Sequence, residues 1–209
     1  MKTSWTKKLL VVSLLFGGVL AGSPAMAQGT APDPAVQQVQ TFYDVLLDSM
    51  KHAKELGIKG RYDKLKPVIE QTFDLPDMAR LAVGPAWNTS SAADQQALLA
   101  AFEFMTVANY ASNFDGYDGE KFVVDPTTTV RAADRVVQSK LITKSQTVPF
   151  NYRMRQVGGS WKIIDIYLNG YVSQVATQRS DFGATLATGG APALVKKITA
   201  LTDKLMGGN

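Results

Sequence analysis

The chain has 209 residues, of which 45% are hydrophobic and none is cysteine. Without cysteine there is no disulfide framework, and a single histidine leaves too few of the ligands that zinc and iron prefer, so we expect no metal site. Three lysines of the first 27 residues account for most of the net charge of +4. The rest of the chain has 19 basic residues against 18 acidic ones, and this balance does not favour nucleic-acid binding.

The first 27 residues have the layout of a secretory signal peptide. Their lysines precede an apolar run over residues 9–20, which is too short to span a membrane comfortably, and the small-residue motif Ala25-Met26-Ala27 follows. We expect cleavage after Ala27 and a periplasmic mature chain, residues 28–209, that forms a single domain. The alternative is that the segment stays uncleaved and anchors the protein to the membrane.

The first half of the mature chain has the pattern of helices. Apolar residues recur at intervals of three and four, and Asp33, Asp74 and Ser91 stand where helix N-caps are expected. Gly57 and the pair Gly84-Pro85 mark helix ends. The predicted helices cover residues 34–57, 61–72, 74–84 and 91–114.

From residue 120 the period of the apolar residues changes from about 3.6 to about 2, which is typical of strands. The predicted strands cover residues 120–131, 134–144, 147–157 and 160–169. Gly158-Gly159 provides a hairpin turn between the last two strands. In the fourth strand, Ile164, Ile166 and Leu168 are predicted to share one face.

Two more helices, predicted over residues 171–188 and 191–206, follow the strands. Helices, then an antiparallel meander, then helices again give an α+β layout. We therefore predict a twisted antiparallel sheet of about four strands, with one apolar face that the helices cover.

Residues suited to catalysis are few. No serine has a neighbouring histidine, and neither a phosphate-binding nor a dinucleotide-binding glycine motif occurs, so we expect no cofactor. The one suggestive acid is Asp165, which interrupts an apolar strand. A buried carboxylate can act as a general base or be held in a structural ion pair, and we favour the ion pair, with Arg179 as the partner.

Several stretches of the mature chain together resemble the MlaC family, whose members are also called toluene-tolerance proteins. In chain order these stretches are residues 73–87 (FDLPDMARLAVGPAW), 110–114 (YASNF), 159–166 (GSWKIIDI), 170–173 (GYVS) and 178–182 (QRSDF). Their details are most similar to the branch associated with hopanoid biosynthesis, often called HpnM. Where the family often has Gly-Val-Ser, this chain has Gly170-Tyr171-Val172-Ser173, which places a tyrosine near the expected pocket mouth.

The resemblance implies an NTF2-like arrangement with an apolar lipid-binding pocket between sheet and helices. It implies that the protein works with an inner-membrane transporter, such as an ABC transporter, and with an outer-membrane lipoprotein complex. The implied cargo is a phospholipid or, for the hopanoid-associated branch, a hopanoid-type lipid. A pocket of this kind needs apolar walls and no reactive residues, so the protein is not expected to be an enzyme.

The candidates for the pocket wall lie on the predicted inward faces of strands and helices. They are Met78, Leu81, Phe102, Met105, Tyr110, Phe150, Tyr152, Met154, Ile164, Ile166, Leu168, Val172 and Val175. Flexible methionines and aromatic rings suit a packed core as well as a pocket, so composition does not separate the two. Two other functions stay open: an NTF2-like enzyme with Asp165 as general base on an apolar substrate, and an adaptor that bridges membrane complexes without binding lipid.

Overall fold

The helices begin at capping side chains that the sequence provides. In this computed structural model, which describes residues 32–207, the Asp33 carboxylate accepts a hydrogen bond of 2.9 Å from the Ala35 amide. Ser91 Oγ accepts one of 3.1 Å from the Asp94 amide. Each bond satisfies an amide that has no partner within the first helical turn. The helices are α1 (Pro34–Lys51), α2 (Ala53–Thr72), α3 (Leu75–Val83), α4 (Pro85–Thr89), α5 (Ala92–Asn113) and α6 (Gln174–Leu205).

Two glycines bend helices near the positions where the sequence predicts helix ends. Gly57, with φ 59°, lies inside α2, and Gly190, with φ 64°, lies inside α6. Glycine adopts this left-handed backbone without the steric strain of a Cβ atom. The helix is interrupted at Gly57, where the sequence predicts an end, and the structure adds an earlier break, because α1 ends at Lys51. The two predicted C-terminal helices are the two arms of α6.

Five antiparallel strands form one open sheet in the order β1-β2-β3-β4-β5, so each strand pairs with its neighbour in sequence. They are β1 (Lys121–Arg131), β2 (Asp134–Ile142), β3 (Thr147–Val157), β4 (Ser160–Leu168) and β5 (Val172–Ser173). Gly158 and Gly159 have φ 57° and 84° and form the tight turn between β3 and β4. The predicted α+β class with an antiparallel sheet is confirmed, and β5 is the strand that the sequence analysis missed.

A β-bulge in β4 changes which residues share a face. Ile166 pairs with Tyr152 and Ile163 pairs with Met154, so Ile164 is an extra residue on its strand. Residues that pair directly lie on the same side of a sheet, so Ile163 joins Ile166 on the side of Tyr152 and Met154. The predicted alternation through Ile164 is wrong because the bulge interrupts the period of 2.

The helices cover one face of the sheet. α1 lies against β1, β2 and β4, while α3 and α6 contact β4. α5 packs on α2, α3 and α6. Between the layers the Phe42 ring lies edge-on to Phe73 and to Tyr110, with ring centroids 5.3 Å apart in both pairs. Aromatic pairs of this geometry stabilise the packing beyond the area they bury.

An ionic cluster joins β2 to β3 at one end of the sheet. Asp134 is 3% exposed, and its carboxylate accepts hydrogen bonds from Arg153 Nε at 2.6 Å and from Arg155 Nε at 2.7 Å. The bond from Arg155, assisted by Arg153, holds the pKa of Asp134 below its ordinary value of 3.8 against the effect of burial. Arg155 also lies 3.6 Å from Asp77 of α3, which links the cluster to the helix layer.

Residues 32–207 form one compact unit. Within the described residues, the helices are too short or too polar to cross a membrane. The predicted signal peptide, residues 1–27, lies outside the described residues.

Candidate functional site

A partly open cavity lies between the helix layer and the sheet. It has a volume of about 150 Å³, and α3, α5 and α6 line it together with β3 and β4. Its lining residues are Met78, Thr106, Asn109, Tyr110, Asn113, Phe114, Phe150, Ile166, Leu168, Gln174 and Gln178. The prediction of a pocket between sheet and helices is confirmed by this cavity.

The apolar part of the cavity wall is largely aromatic. The rings of Tyr110 and Phe114 stack with centroids 5.7 Å apart, and Tyr110 also lies edge-on to Phe42 and Phe73 of the core. Burial raises the pKa of the Tyr110 hydroxyl well above its ordinary value of 10, so this group is neutral at physiological pH. The rings of Tyr110 and Phe114 therefore give this part of the wall a neutral, apolar surface.

The helices also contribute a polar part to the wall. Thr106, Asn109 and Asn113 lie on one face of α5, and Gln174 and Gln178 lie one turn apart at the start of α6. The Oε1 atom of Gln178 is buried and has no hydrogen-bond partner within residues 32–207. The sequence-based prediction did not include these five residues. Amides four residues apart, Asn109 with Asn113 and Gln174 with Gln178, are the signal that would have revealed four of them.

The predicted pocket residues divide into four groups in the structure. Those that line the cavity are Met78, Tyr110, Phe150, Ile166 and Leu168. Those that are buried in the protein interior are Phe102, Tyr152, Met154, Ile164 and Val175, and those that are partly buried against the core are Leu81 and Met105. Val172, in β5, is 38% exposed. The role of these side chains in binding a lipid stays a prediction.

Asp165 is fixed by hydrogen bonds rather than by an ion pair. Its carboxylate accepts a bond of 2.5 Å from Ser173 Oγ and one of 3.1 Å from the Val175 amide. Asp165 pairs in the sheet with Arg153, on the face opposite to the cavity wall. The predicted ion pair with Arg179 is wrong: among the described residues, no salt bridge joins these two side chains.

Arg179 lies instead over the end of α3. The backbone of Gly84 has φ 69°, and a Cβ atom at this position would lie 2.9 Å from Arg179 Nε. The guanidinium therefore occupies the space that a side chain at Gly84 would need. Glycine suits this position for two reasons: its backbone adopts the left-handed conformation without strain, and the absence of a Cβ atom leaves room for the Arg179 side chain.

Two larger grooves lie outside the helix layer, on the other face of the sheet. They have volumes of about 380 and 560 Å³ and share the lining residues Gln138, Asn151 and Gly170. Charged residues such as Arg131 and Lys140 contribute to their walls. We favour the inner cavity as the candidate site because small-molecule sites are typically concave and mostly apolar, with few polar groups.

An open antiparallel sheet, helices over one face, and a cavity between the two layers define a small α+β protein of the NTF2-like class. The family profile described as "MlaC protein" matches residues 40–200, so the chain belongs to the MlaC family. The predicted family is therefore confirmed.

Comparison with solved structures gives the same fold. The chain is similar to the phospholipid-binding protein from Ralstonia solanacearum, whose structure was determined in complex with a phospholipid. The two are 20% identical, with a TM-score of 0.73, and the match covers 83% of this chain and 99% of that chain. A comparison with curated proteins gives no match.

Proposed function

We propose that this protein binds a membrane lipid in the cavity between helices and sheet and carries it through the periplasm. The observation that carries this proposal is a cavity with an aromatic and aliphatic wall and no charged residue among those that line it. Membership of the MlaC family supports the same function. So does the phospholipid in the structurally similar protein from Ralstonia solanacearum.

The hydrophobic effect explains why such a lipid needs a carrier. Each methylene group buried from water contributes about 0.8 kcal/mol, so two acyl chains with roughly 30 methylenes would lose on the order of 20 kcal/mol in water. A protein that replaces the membrane environment removes most of that cost. The rings of Tyr110, Phe114 and Phe150 provide such a surface.

Lipid entry requires the cavity to widen. Its volume of about 150 Å³ is below the roughly 300–1,000 Å³ of typical ligand sites. α3, α5 and α6 pack on one another, α3 and α6 also pack on β4, and α6 packs on β5. We expect these three helices to shift together relative to the sheet when the cavity widens, because such a shift preserves the contacts among them.

The finer parts of the proposal concern cargo, partners and location. We expect a phospholipid or a hopanoid-type lipid, received from or passed to an inner-membrane transporter and an outer-membrane lipoprotein complex. The expected periplasmic location rests on the signal-peptide pattern of residues 1–27 and on the family. The residues expected to contact the lipid are those that line the cavity. The aliphatic ones among them are Met78, Ile166 and Leu168.

A pair of tryptophan variants tests the site. Ile166→Trp places an indole in the cavity, whereas Tyr167→Trp, at the next residue of the same strand, points to the other face of the sheet. We expect Ile166→Trp to lose most lipid uptake from fluorescently labelled phospholipid vesicles, and Tyr167→Trp to retain it. Equal uptake by a folded Ile166→Trp variant and the wild type would show that the lipid binds elsewhere.

A further inference from the structure

The chemistry of the cavity wall constrains which part of a lipid it receives. Two buried side-chain oxygen atoms of the described chain have no hydrogen-bond partner, Ser49 Oγ and Gln178 Oε1. Ser49 is not among the cavity-lining residues, whereas Gln178 is. An unsatisfied buried polar atom costs folding free energy, so its presence at a ligand cavity points to a ligand group that satisfies it.

The polar side chains that line the cavity beside Gln178 are all uncharged. Asn109 and Asn113 of α5 and Gln174 of α6 line the same cavity, and together these amides supply both donors and acceptors. No Lys, Arg, Asp or Glu is among the lining residues of this cavity. A phosphate, carboxylate or ammonium group buried there would lack a counter-charge, and burying an unpaired charge is far more costly than burying a neutral polar group.

From this wall we infer that the cavity binds a lipid that carries an uncharged hydroxyl group, and that Gln178 recognises that hydroxyl. The inference rests on the proposed function and adds a chemical class of ligand to it. A hydroxyl both donates and accepts, so it pairs with an amide group in either of its two orientations. Charged parts of a headgroup stay outside, toward the open side of the cavity.

The test compares two lipids that differ by one atom. The first is 1,2-dioctanoylglycerol, which has a free hydroxyl, and the second is propane-1,2-diol dioctanoate, in which hydrogen replaces that hydroxyl. Their dissociation constants for the purified protein are measured by equilibrium dialysis. We expect the wild type to bind the hydroxyl-bearing lipid about tenfold more tightly, the effect of one well-made buried hydrogen bond.

Gln178→Leu removes the amide at nearly constant volume, and Gln96→Leu, on an exposed position of α5, is the matched control. We expect Gln178→Leu to bind the two lipids within about twofold of each other and Gln96→Leu to retain the preference. Without lipid, Gln178→Leu should unfold about 2–4 °C above the wild type, because an unsatisfied buried atom is lost. A lower unfolding temperature would show that the amide has a structural partner, which overturns the inference.

The remaining outcomes separate this inference from the proposed function. If the wild type binds both lipids equally, or if Gln178→Leu keeps the preference, hydroxyl recognition by Gln178 is wrong and lipid binding stands. If the wild type binds neither these lipids nor phospholipids from vesicles, the proposed function fails, and this inference fails with it.

Discussion

The Ser173 hydroxyl donates a hydrogen bond of 2.5 Å to the Asp165 carboxylate, which joins β4 to the N-cap of α6. The Val175 amide donates to the same carboxylate at 3.1 Å. A carboxylate beside the first turn of a helix satisfies free amides and favours the positive end of the helix dipole. Asp165 therefore holds in place the helix that carries Gln174 and Gln178 to the cavity.

Asp165→Asn tests this structural role. We expect it to lower the free energy of unfolding by about 2 kcal/mol, since hydrogen bonds to a charged group are replaced by weaker ones. Lipid uptake per folded molecule should stay unchanged. Urea unfolding measures the first effect and vesicle uptake the second, and Asp181→Asn, on an exposed position of α6, is the control. If Asp165→Asn had wild-type stability but lacked a catalytic activity that the wild type shows on an apolar substrate, this result would instead support the hypothesis that the protein is an enzyme.

The contact between Gly84 and Arg179 yields a second prediction. Gly84→Ala should destabilise the protein by about 2 kcal/mol, because the left-handed backbone is strained for alanine and its Cβ would lie 2.9 Å from Arg179 Nε. Gly119→Ala is the matched control: its φ is 94°, and its Cβ would meet nothing within 4 Å. Thermal unfolding measures both.

A double variant separates the two causes at Gly84. Shortening the neighbour in Gly84→Ala/Arg179→Ala should recover part of the lost stability, whereas Gly119→Ala/Arg179→Ala should show no coupling. Equal losses for Gly84→Ala and Gly119→Ala, with no recovery in the first double variant, would mean that only backbone strain matters there.

Asp134 should make the free energy of unfolding depend on pH in the acidic range. Its pKa in the folded protein is below 3.8, with the hydrogen bond from Arg155 as the main cause. The stability that this group contributes is therefore complete above its ordinary pKa and is lost as the pH falls through the lowered folded value. We expect Asp134→Asn to cost about 1–2 kcal/mol at neutral pH, a value moderated because both arginine partners are partly exposed.

Urea unfolding from neutral pH down to about pH 2 checks this assignment. The stability gap between wild type and Asp134→Asn should narrow as the solution becomes acidic. Asp63→Asn, which removes an exposed ion pair with Lys59, should be close to the wild type at every pH. A gap that stays constant with pH would show that packing, and not the charge of Asp134, causes the loss.

The buried tyrosine hydroxyls should make the protein unfold at alkaline pH. Burial raises the pKa of Tyr43 to about 12 and raises those of Tyr110 and Tyr152 further. Stability from these groups is complete below pH 10 and is lost as the pH rises through their folded values. Tyrosinate absorbance should therefore show a late phase that coincides with unfolding.

One variant assigns the late phase of that titration. Tyr43→Phe should reduce its amplitude, because Tyr43 is one of the buried hydroxyls that causes it. In concentrated urea the late phase should disappear, because a tyrosine of the unfolded chain titrates near pH 10. A single transition near pH 10 in the folded protein would contradict the burial of these three hydroxyls.

Local patterns of the sequence predict those features of the fold that depend only on residues close to one another in the chain. Asp33 and Ser91 cap helices, and Gly158-Gly159 turns a hairpin, because each depends on a few neighbouring residues. The bulge at Ile164 cannot be predicted from such a local pattern, because it depends on how β3 and β4 pair. The short strand β5 cannot be predicted locally either, because it is defined by its pairing with β4.

The candidate site is predicted less completely than the fold. Tyr110, Ile166 and Leu168 are found from apolar periodicity, which identifies inward-facing residues but does not separate a cavity wall from a packed core. Polar residues such as Asn109 and Gln178 are missed because a hydrophobic pattern treats them as exposed, whereas both are partly buried. Their position follows from how α5 and α6 meet, which is a tertiary contact.

Mass spectrometry of the lipid extracted from the purified protein tests lipid binding by this cavity. We expect a stoichiometric amount of membrane lipid with the wild type and a strong reduction with Ile166→Trp. We also expect lipid-free protein to regain lipid from vesicles. A folded wild-type protein that contains no lipid and takes none from vesicles would show that the protein is not a lipid carrier.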